Sequence, residues 1–243
     1  MGQFKGTFQR YEKKYLLNDI QYEEAMNKLK DKLRVDEYGR TSICNIYFDT
    51  PDYRLIRTSL EKPVYKEKLR LRSYGIPLGS DNVYVELKKK YKDVVYKRRV
   101  KLDLATAERY LYDNIHPAKG TQIMREIDWF LSYYHNLQPS MYISYDRIAL
   151  YGLEDPELRI TFDWNLMYRQ DELWLGCGSW GNPILQEGYR LMEIKIPGAI
   201  PLWLSHILSE LRIYPVSFSK YGRGYQLSLA DNKKIHKGDI RYA

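Results

Sequence analysis

The sequence predicts an α+β fold dominated by antiparallel strands, and three observations carry that expectation. Segments rich in Val, Ile, Tyr and Phe recur between turn signals, charged and apolar residues alternate within them, and a few intervening segments carry apolar stripes at helical spacing. Strands are expected at 7–17, 42–49, 66–74, 83–91, 94–102, 141–151, 158–168 and 189–196, with a short last one after Ser217. Helices are expected at 19–33, where Asn18 or Asp19 can cap, and at 104–112, 122–134 and 201–211. No linker, long repeat or low-complexity block interrupts residues 1–243, so one domain is expected, with the last ~12 residues as a tail.

Each strand divides its residues between two faces, because side chains alternate with a period of two. Lys66, Lys68, Arg70 and Arg72 share a face opposite Glu67, Leu69 and Leu71. Tyr84, Glu86, Lys88 and Lys90 oppose Val83, Val85, Leu87 and Lys89. Lys97, Arg99 and Lys101 oppose Tyr96, Arg98, Val100 and Leu102. The same split sets Arg10, Glu12 and Lys14 against Tyr11, Lys13 and Tyr15, Arg159 and Asp163 against Ile160 and Phe162, and Glu193 and Lys195 against Met192 and Ile194. The stretch VYVELKKKYKDVVYKRRVKL at 83–102 reads as a hairpin turning near Tyr91-Lys92-Asp93. In that register Lys89 and Arg98 fall on the apolar side and are expendable for anything the charged face binds.

Composition narrows the class. The 243 residues are 44% apolar and 14% aromatic, with 24 tyrosines and a formal charge of +8, a balance that favours polyanionic partners. No apolar run approaches the roughly 18 residues of a membrane span, and the polar start MGQFKGTFQRYEKKY does not read as a secretory leader, so a cytoplasmic location is expected. Any membrane attachment would come through a partner protein. Cys44 and Cys177 lack the spacing of a zinc site or a disulfide framework.

An ordinary sandwich or barrel with a solvated charged face explains any single strand. The helical stripes, such as Ile123, Ile127, Phe130 and Leu131, or Leu202, Ile207, Leu208 and Leu211, need the apolar face as cover. A sheet wrapped from outside on that face closes around its cations. Buried unpaired charges cost several kcal/mol each, so a basic interior implies an anionic ligand.

The motifs RYEKKYLL at 10–17, YFDTPDY at 47–53, KLRLRSYG at 68–75, YVELKKK at 84–90, VYKRRV at 95–100, SYDRIAL at 144–150, LRITFDWNL at 158–166, LMEIKIPG at 191–198 and SFSKYGRG at 217–224 resemble, in order, the polyphosphate polymerase (VTC) domain family of the triphosphate tunnel metalloenzyme superfamily. The resemblance implies a closed antiparallel eight-stranded barrel with helices outside, a lumen that holds linear phosphate chains, and a divalent metal, Mn²⁺ or Mg²⁺. It implies that Lys14, Arg70, Arg72, Lys88, Lys97, Arg147 and Lys220 grip phosphates, with Arg99, Arg159 and Lys195 as neighbours and Tyr145 and Ser219 as hydrogen-bonding partners. Glu193 looks like the metal carboxylate, joined by Glu12 or Glu86. The superfamily's first strand carries ExExK, whereas this chain has Arg10 at the first glutamate, which exchanges a carboxylate for a cation in the phosphate-binding face.

The activity implied is transfer of the γ-phosphate of ATP to inorganic polyphosphate. Phosphoryl transfer asks mainly for positioning and charge neutralisation, which arginine forks and lysines supply. Metal-dependent hydrolysis of tri- or polyphosphate or of nucleoside triphosphates, and a non-catalytic polyphosphate-binding module, are the alternatives. Nucleic acid is not expected as a partner, since the charges face a lumen too narrow for bases. No P-loop, HExxH or GxSxG motif is present.

Overall fold

The computed structural model describes residues 11–92, 94–117 and 120–239, with side chains as far as residue 231. Its elements are β1 (Tyr11–Leu17), α1 (Asp19–Leu29), β2 (Leu33–Asp49), α2 (Arg54–Leu60), β3 (Tyr65–Tyr74), β4 (Asn82–Tyr91), β5 (Val94–Asp103), α3 (Leu104–Tyr112), α4 (Gln122–Tyr133), β6 (Gln138–Gly152), β7 (Arg159–Arg169), a 3-10 turn at Leu175–Cys177, β8 (Asn182–Pro183), β9 (Arg190–Ile196), α5 (Leu202–Glu210) and α6 (Lys220–Asp239). The strands form one antiparallel sheet in the hydrogen-bonded order β1-β9-β7-β6-β2-β3-β4-β5, with β8 on β7. The α+β expectation holds.

The expectation of a closed eight-stranded barrel is met in part, by an antiparallel sheet with helices whose closure is not among the pairings of the described residues. Closure needs the end strands to exchange hydrogen bonds, and among the described residues β1 and β5 are the ends of an open path. The ninth strand is the two-residue β8, which pairs Asn182 and Pro183 with Tyr168 and Met167. The strand expected after Ser217 is instead the start of α6. There the Ser219 hydroxyl accepts from the Gly222 N–H at 3.1 Å, a serine N-cap. Glycines 222 and 224 read against a helix, but a Cβ at Gly224 would lie 2.7 Å from the Met141 sulfur and one at Gly222 2.9 Å from Leu60, so the glycines serve close packing. No helix among the described residues is long and apolar enough to cross a membrane.

The chain gathers into two compact units. The first comprises the chain up to Ser42, Tyr145–Asn165 and Leu185–Phe218; the second comprises Ile43–Ser144, Leu166–Ile184 and the chain from Ser219. In the first, Tyr15 and Leu17 of β1, Ile160 and Phe162 of β7, and Met192, Ile194 and Ile196 of β9 pack with Ala25 and Leu29 of α1 and Leu204 and Leu208 of α5. A reciprocal capping box starts α1: Asn18 Oδ1 accepts from the Gln21 N–H and Gln21 Oε1 from the Asn18 N–H. In the second unit, Ile46, Phe48, Leu69, Leu71, Val83, Val85 and Leu87 pack with Leu104, Ala107 and Tyr110 of α3 and Met124, Ile127 and Phe130 of α4. Each such Leu, Ile, Val, Met or Phe side chain contributes about 1.5–3 kcal/mol by burial, which pins the register and turns the alternate residues to the other face.

Lys89 and Arg98 do lie on the helix-covered side. Lys89 Nζ is 3.4 Å from the buried Glu67 carboxylate, which also accepts from Tyr134, and Arg98 donates to Glu126 of α4 at 2.8 Å. Their work is to hold helix against sheet.

Candidate functional site

In the second unit the strand register stacks charges in rows. Lys68, Lys88 and Lys97 face one another across β3, β4 and β5, and the next row is Arg70, Glu86 and Arg99. Glu86 is buried, and its Oε2 accepts from Arg70 Nε at 2.7 Å while Oε1 accepts from Arg99 Nε at 2.6 Å. Lys97 Nζ is 2.7 Å from Oε1, and Arg72 Nε stands 3.8 Å from Oε2. Four cations therefore surround one carboxylate. Burial pushes the Glu86 carboxyl up, but the charges of Arg70, Arg72 and Lys97 outweigh it and hold the group ionised far below the usual carboxylate range. Burial acts the other way on Lys97 and, despite the pull of Glu86, draws its ammonium down to about 8.

Neutral groups fix the guanidinium planes. Arg70 donates to the Tyr47 hydroxyl at 3.1 Å, Arg72 to Asn45 Oδ1 at 3.0 Å and Arg99 to the Tyr74 hydroxyl at 3.2 Å. Asn45 in turn donates to the Ile143 carbonyl at 3.0 Å, and Arg99 lies over the Tyr84 ring at 4.4 Å. Such anchoring leaves the forks with little freedom to lose when an anion arrives.

The start of α6 joins this cluster. Ser219, while capping the helix, accepts from Lys68 Nζ at 2.9 Å, and Lys220 beside it is buried. Tyr221 stacks on Tyr47 at 4.6 Å and donates to Asp49 Oδ2 at 2.8 Å. Asp49 is fully buried and also accepts from the N–H groups of Thr50, Leu55 and Ile56. It anchors α2 and α6 together.

The first unit carries a different set. Lys14 faces Glu193, which faces Thr161, and the adjoining row is Glu12, Lys195 and Arg159. Lys14 Nζ donates to the Phe218 carbonyl at 2.9 Å and lies 3.4 Å from Glu12 Oε1 and 3.5 Å from Glu193 Oε1. Glu193 Oε2 lies 3.3 Å from Lys195 Nζ and 3.9 Å from Arg147. Arg147 forms a fork on Asp163 through bonds of 2.5 and 2.7 Å and lies over the Tyr145 ring at 5.2 Å. Burial opposes the Arg147 charge, yet Tyr145, Asp163 and Glu193 hold it firmly protonated.

Of the residues expected from sequence, Arg70, Arg72, Lys97, Arg99 and Glu86 share one cluster, with Lys88 in the adjacent row. Ser219 and Lys220 sit together at the α6 start. Lys14, Glu12, Glu193, Lys195, Arg147 and Tyr145 form the other group. Arg159 shares a row with Lys195, but its guanidinium turns to Asp36 at 3.2 Å and is largely exposed. Arg10 lies outside the described residues. The sequence alone assigns no role to Lys68, Tyr47, Asn45, Tyr221 or Thr161. The KLRLR alternation did put Lys68 on the right face; its partner Ser219 lies 151 positions away.

Among the described residues no three His, Cys, Asp or Glu side chains cluster as a metal cage. Glu86, ringed by cations, suits the ordering of those cations and not a divalent ion. Glu12 and Glu193 fit better: with the Phe218 carbonyl they present hard oxygen donors of the kind Mn²⁺ and Mg²⁺ take, and such ions commonly add phosphate oxygens and water to one or two carboxylates.

Comparison with known proteins bears on the fold and the family. A candidate adenylate cyclase from Bacillus halodurans has a similar structure over 87% of this chain and 95% of its own, at 15% identity and a TM-score of 0.55. A candidate adenylyl cyclase from Hippeastrum, described as having a dominant triphosphatase activity, is similar over 88% of this chain and 94% of its own, at 14% identity and a TM-score of 0.54. At these identities the likeness is one of fold. No curated protein matches the sequence. A family profile described as the VTC domain matches residues 9–229, nearly the whole chain, and the protein therefore belongs to the VTC domain family.

Proposed function

We propose that this chain is an ATP:polyphosphate phosphotransferase, extending an inorganic polyphosphate chain by one phosphate from ATP at each turn. The observation that carries the reading is the convergence of Arg70, Arg72, Lys97 and Arg99 on one carboxylate, a fixed array of four cations around a single anion among the described residues. Arginine forks take non-bridging phosphate oxygens two at a time, and alternate strand residues stand about 6.5–7 Å apart, a spacing that suits successive phosphates. Lys220 and Lys88 extend the grip, and Lys14, Arg147 and Lys195 supply a second cationic group.

The incoming terminal phosphate of the polymer is already ionised, so its oxygen attacks the γ-phosphorus of ATP without a protein base. The new P–O bond forms as the bond to the β-bridging oxygen breaks, and ADP leaves with that electron pair. The cations neutralise charge spreading over the equatorial oxygens, which is where phosphoryl transfer gains most. Glu12 and Glu193 would hold a divalent ion, which would supply further neutralisation of phosphate charge.

Incubating the purified protein with ATP, Mn²⁺ and a short polyphosphate primer is expected to give a ladder of longer chains on a gel. Release of orthophosphate alone would replace this reading with hydrolysis, the activity named for the Hippeastrum protein. Tight binding without turnover under any divalent metal would leave a polyphosphate-binding module.

A further inference from the structure

We infer that the Lys14 ammonium occupies the seat of the divalent cation in the ligand-free protein, and that the ion enters only as Lys14 gives up that seat and turns to phosphate. The inference rests on the proposed phosphate chemistry and adds the coupling between metal and anion. An ammonium has three N–H donors. Around Lys14 Nζ stand three oxygens: the Phe218 carbonyl at 2.9 Å, Glu12 Oε1 at 3.4 Å and Glu193 Oε1 at 3.5 Å. Two carboxylates and a backbone carbonyl are the donors a hard divalent ion selects.

The seat is built into the fold. The Val216 N–H donates to the Lys14 carbonyl at 2.7 Å, and Pro215 bridges to Tyr15, so the segment leading to Phe218 is strapped along β1. Glu12 and Lys14 are alternate residues of β1, and Glu193 is the direct cross-strand partner of Lys14.

A second observation points to a ligand that Lys14 does not fully replace. Thr161 is the cross-strand partner of Glu193 on β7 and shares its face, yet its buried hydroxyl has no hydrogen-bond partner among the described residues. A buried hydroxyl left unpaired costs about 1–3 kcal/mol, and a metal-held water or the ion itself would satisfy it. A divalent ion with its waters, held at the cross-strand Glu193, would offer the Thr161 hydroxyl that partner.

Lys195 and Arg147 stand near the other oxygen of Glu193. With Lys14 still seated, a divalent ion would meet three cations. With Lys14 drawn onto a phosphate, the repulsion falls and the carboxylates are released. Metal and polyanion should therefore bind with positive coupling.

The test is a Mn²⁺ titration of the purified chain without nucleotide or phosphate, following loss of the free-ion EPR signal. Wild type should bind weakly, and Lys14→Gln and Lys14→Met should bind at least about 10-fold more tightly, since each removes a unit charge a few Å from the seat. Adding Glu193→Gln to Lys14→Gln should abolish the gain, and adding Thr161→Val should reduce it about 3-fold, with Thr161→Ser restoring it. The proposal is overturned if folded Lys14 variants bind Mn²⁺ no more tightly than wild type, or if the gain survives Glu193→Gln.

Amine labelling of wild-type Lys14, read by mass spectrometry, needs no variant. Labelling should rise at saturating Mn²⁺, and unchanged labelling with the ion bound would equally sink the exchange. Synthesis is not read in either experiment. A polyphosphate ladder without the exchange removes only the seat, and the exchange without a ladder removes only the polymerase reading.

Discussion

The two charged clusters use the same device of strand alternation to opposite ends. Around Glu86 a single buried carboxylate is outnumbered by Arg70, Arg72, Lys97 and Arg99, whereas around Lys14 the carboxylates of Glu12, Glu193 and Asp163 alternate with Lys14, Arg147 and Lys195. Among the described residues the first cluster sets four cations on one carboxylate, which suits the anion proposed for it. The second interleaves carboxylates and cations, which suits the proposed exchange of one cation for another. Counting cations along a strand does not separate these cases, because the difference lies in which carboxylates the register places between them.

The sharpest way to break this comparison is to remove the lone anion. Glu86→Gln should lower stability by about 3 kcal/mol in urea unfolding, the low end for a broken buried pair, since it leaves the buried Arg72 and the partly buried Arg70 and Arg99 without their counter-charge. Tripolyphosphate should recover more stability in this variant than in wild type. A loss under about 1 kcal/mol would mean that the cations do not depend on Glu86.

The next effect is on binding. Arg70→Ala should weaken polyphosphate binding by roughly 10–100-fold in calorimetry, the range for charge-assisted hydrogen bonds, while Lys89→Met should leave affinity within about 2-fold. If Lys89→Met matched Arg70→Ala, the face assignment of β4 would fail. Because Lys89 lies beside buried Glu67, its cost should appear as stability instead.

A smaller effect separates the clusters by pH. The Lys97 ammonium is held near 8, below its ordinary 10.5, so it carries its charge at pH 7 and loses it as the pH rises through 8. Polyphosphate affinity should fall by up to about tenfold between pH 7 and 9, and binding near pH 8 should take up a proton because the bound anion favours the charged amine. Calorimetry in buffers of different ionisation enthalpy reads that uptake; in Lys97→Met it should vanish. The smallest change is expected from Arg98→Met, whose half-exposed pair with Glu126 should cost no more than about 1 kcal/mol in denaturant unfolding.

Much of this was legible before folding. The alternation in KLRLR, VELKKK and VYKRRV put Arg70, Arg72, Glu86, Lys97 and Arg99 on one face, and apolar stripes marked α1, α3, α4 and α5. The largely exposed first part of β2, from Leu33, is not legible in the sequence, because exposed strand positions tolerate polar residues that carry no clear period. Helix α2 escaped notice because it is 7 residues long and its cap comes from Asp49, outside its own first turn. Helix α6 was hidden by two glycines whose reason is a tertiary contact.

What the sequence determined by itself is the sorting of residues between faces, because a period of two is a property of the extended backbone and needs no partner strand. What the tertiary structure decided is pairing. It chose Arg70 and Arg99 as the partners of Glu86, turned Arg159 away to Asp36, and set Lys14 between Glu12, Glu193 and the Phe218 carbonyl. Charge interactions act over a few Å, and only strand register and chain return bring residues 14, 193 and 218 within that range.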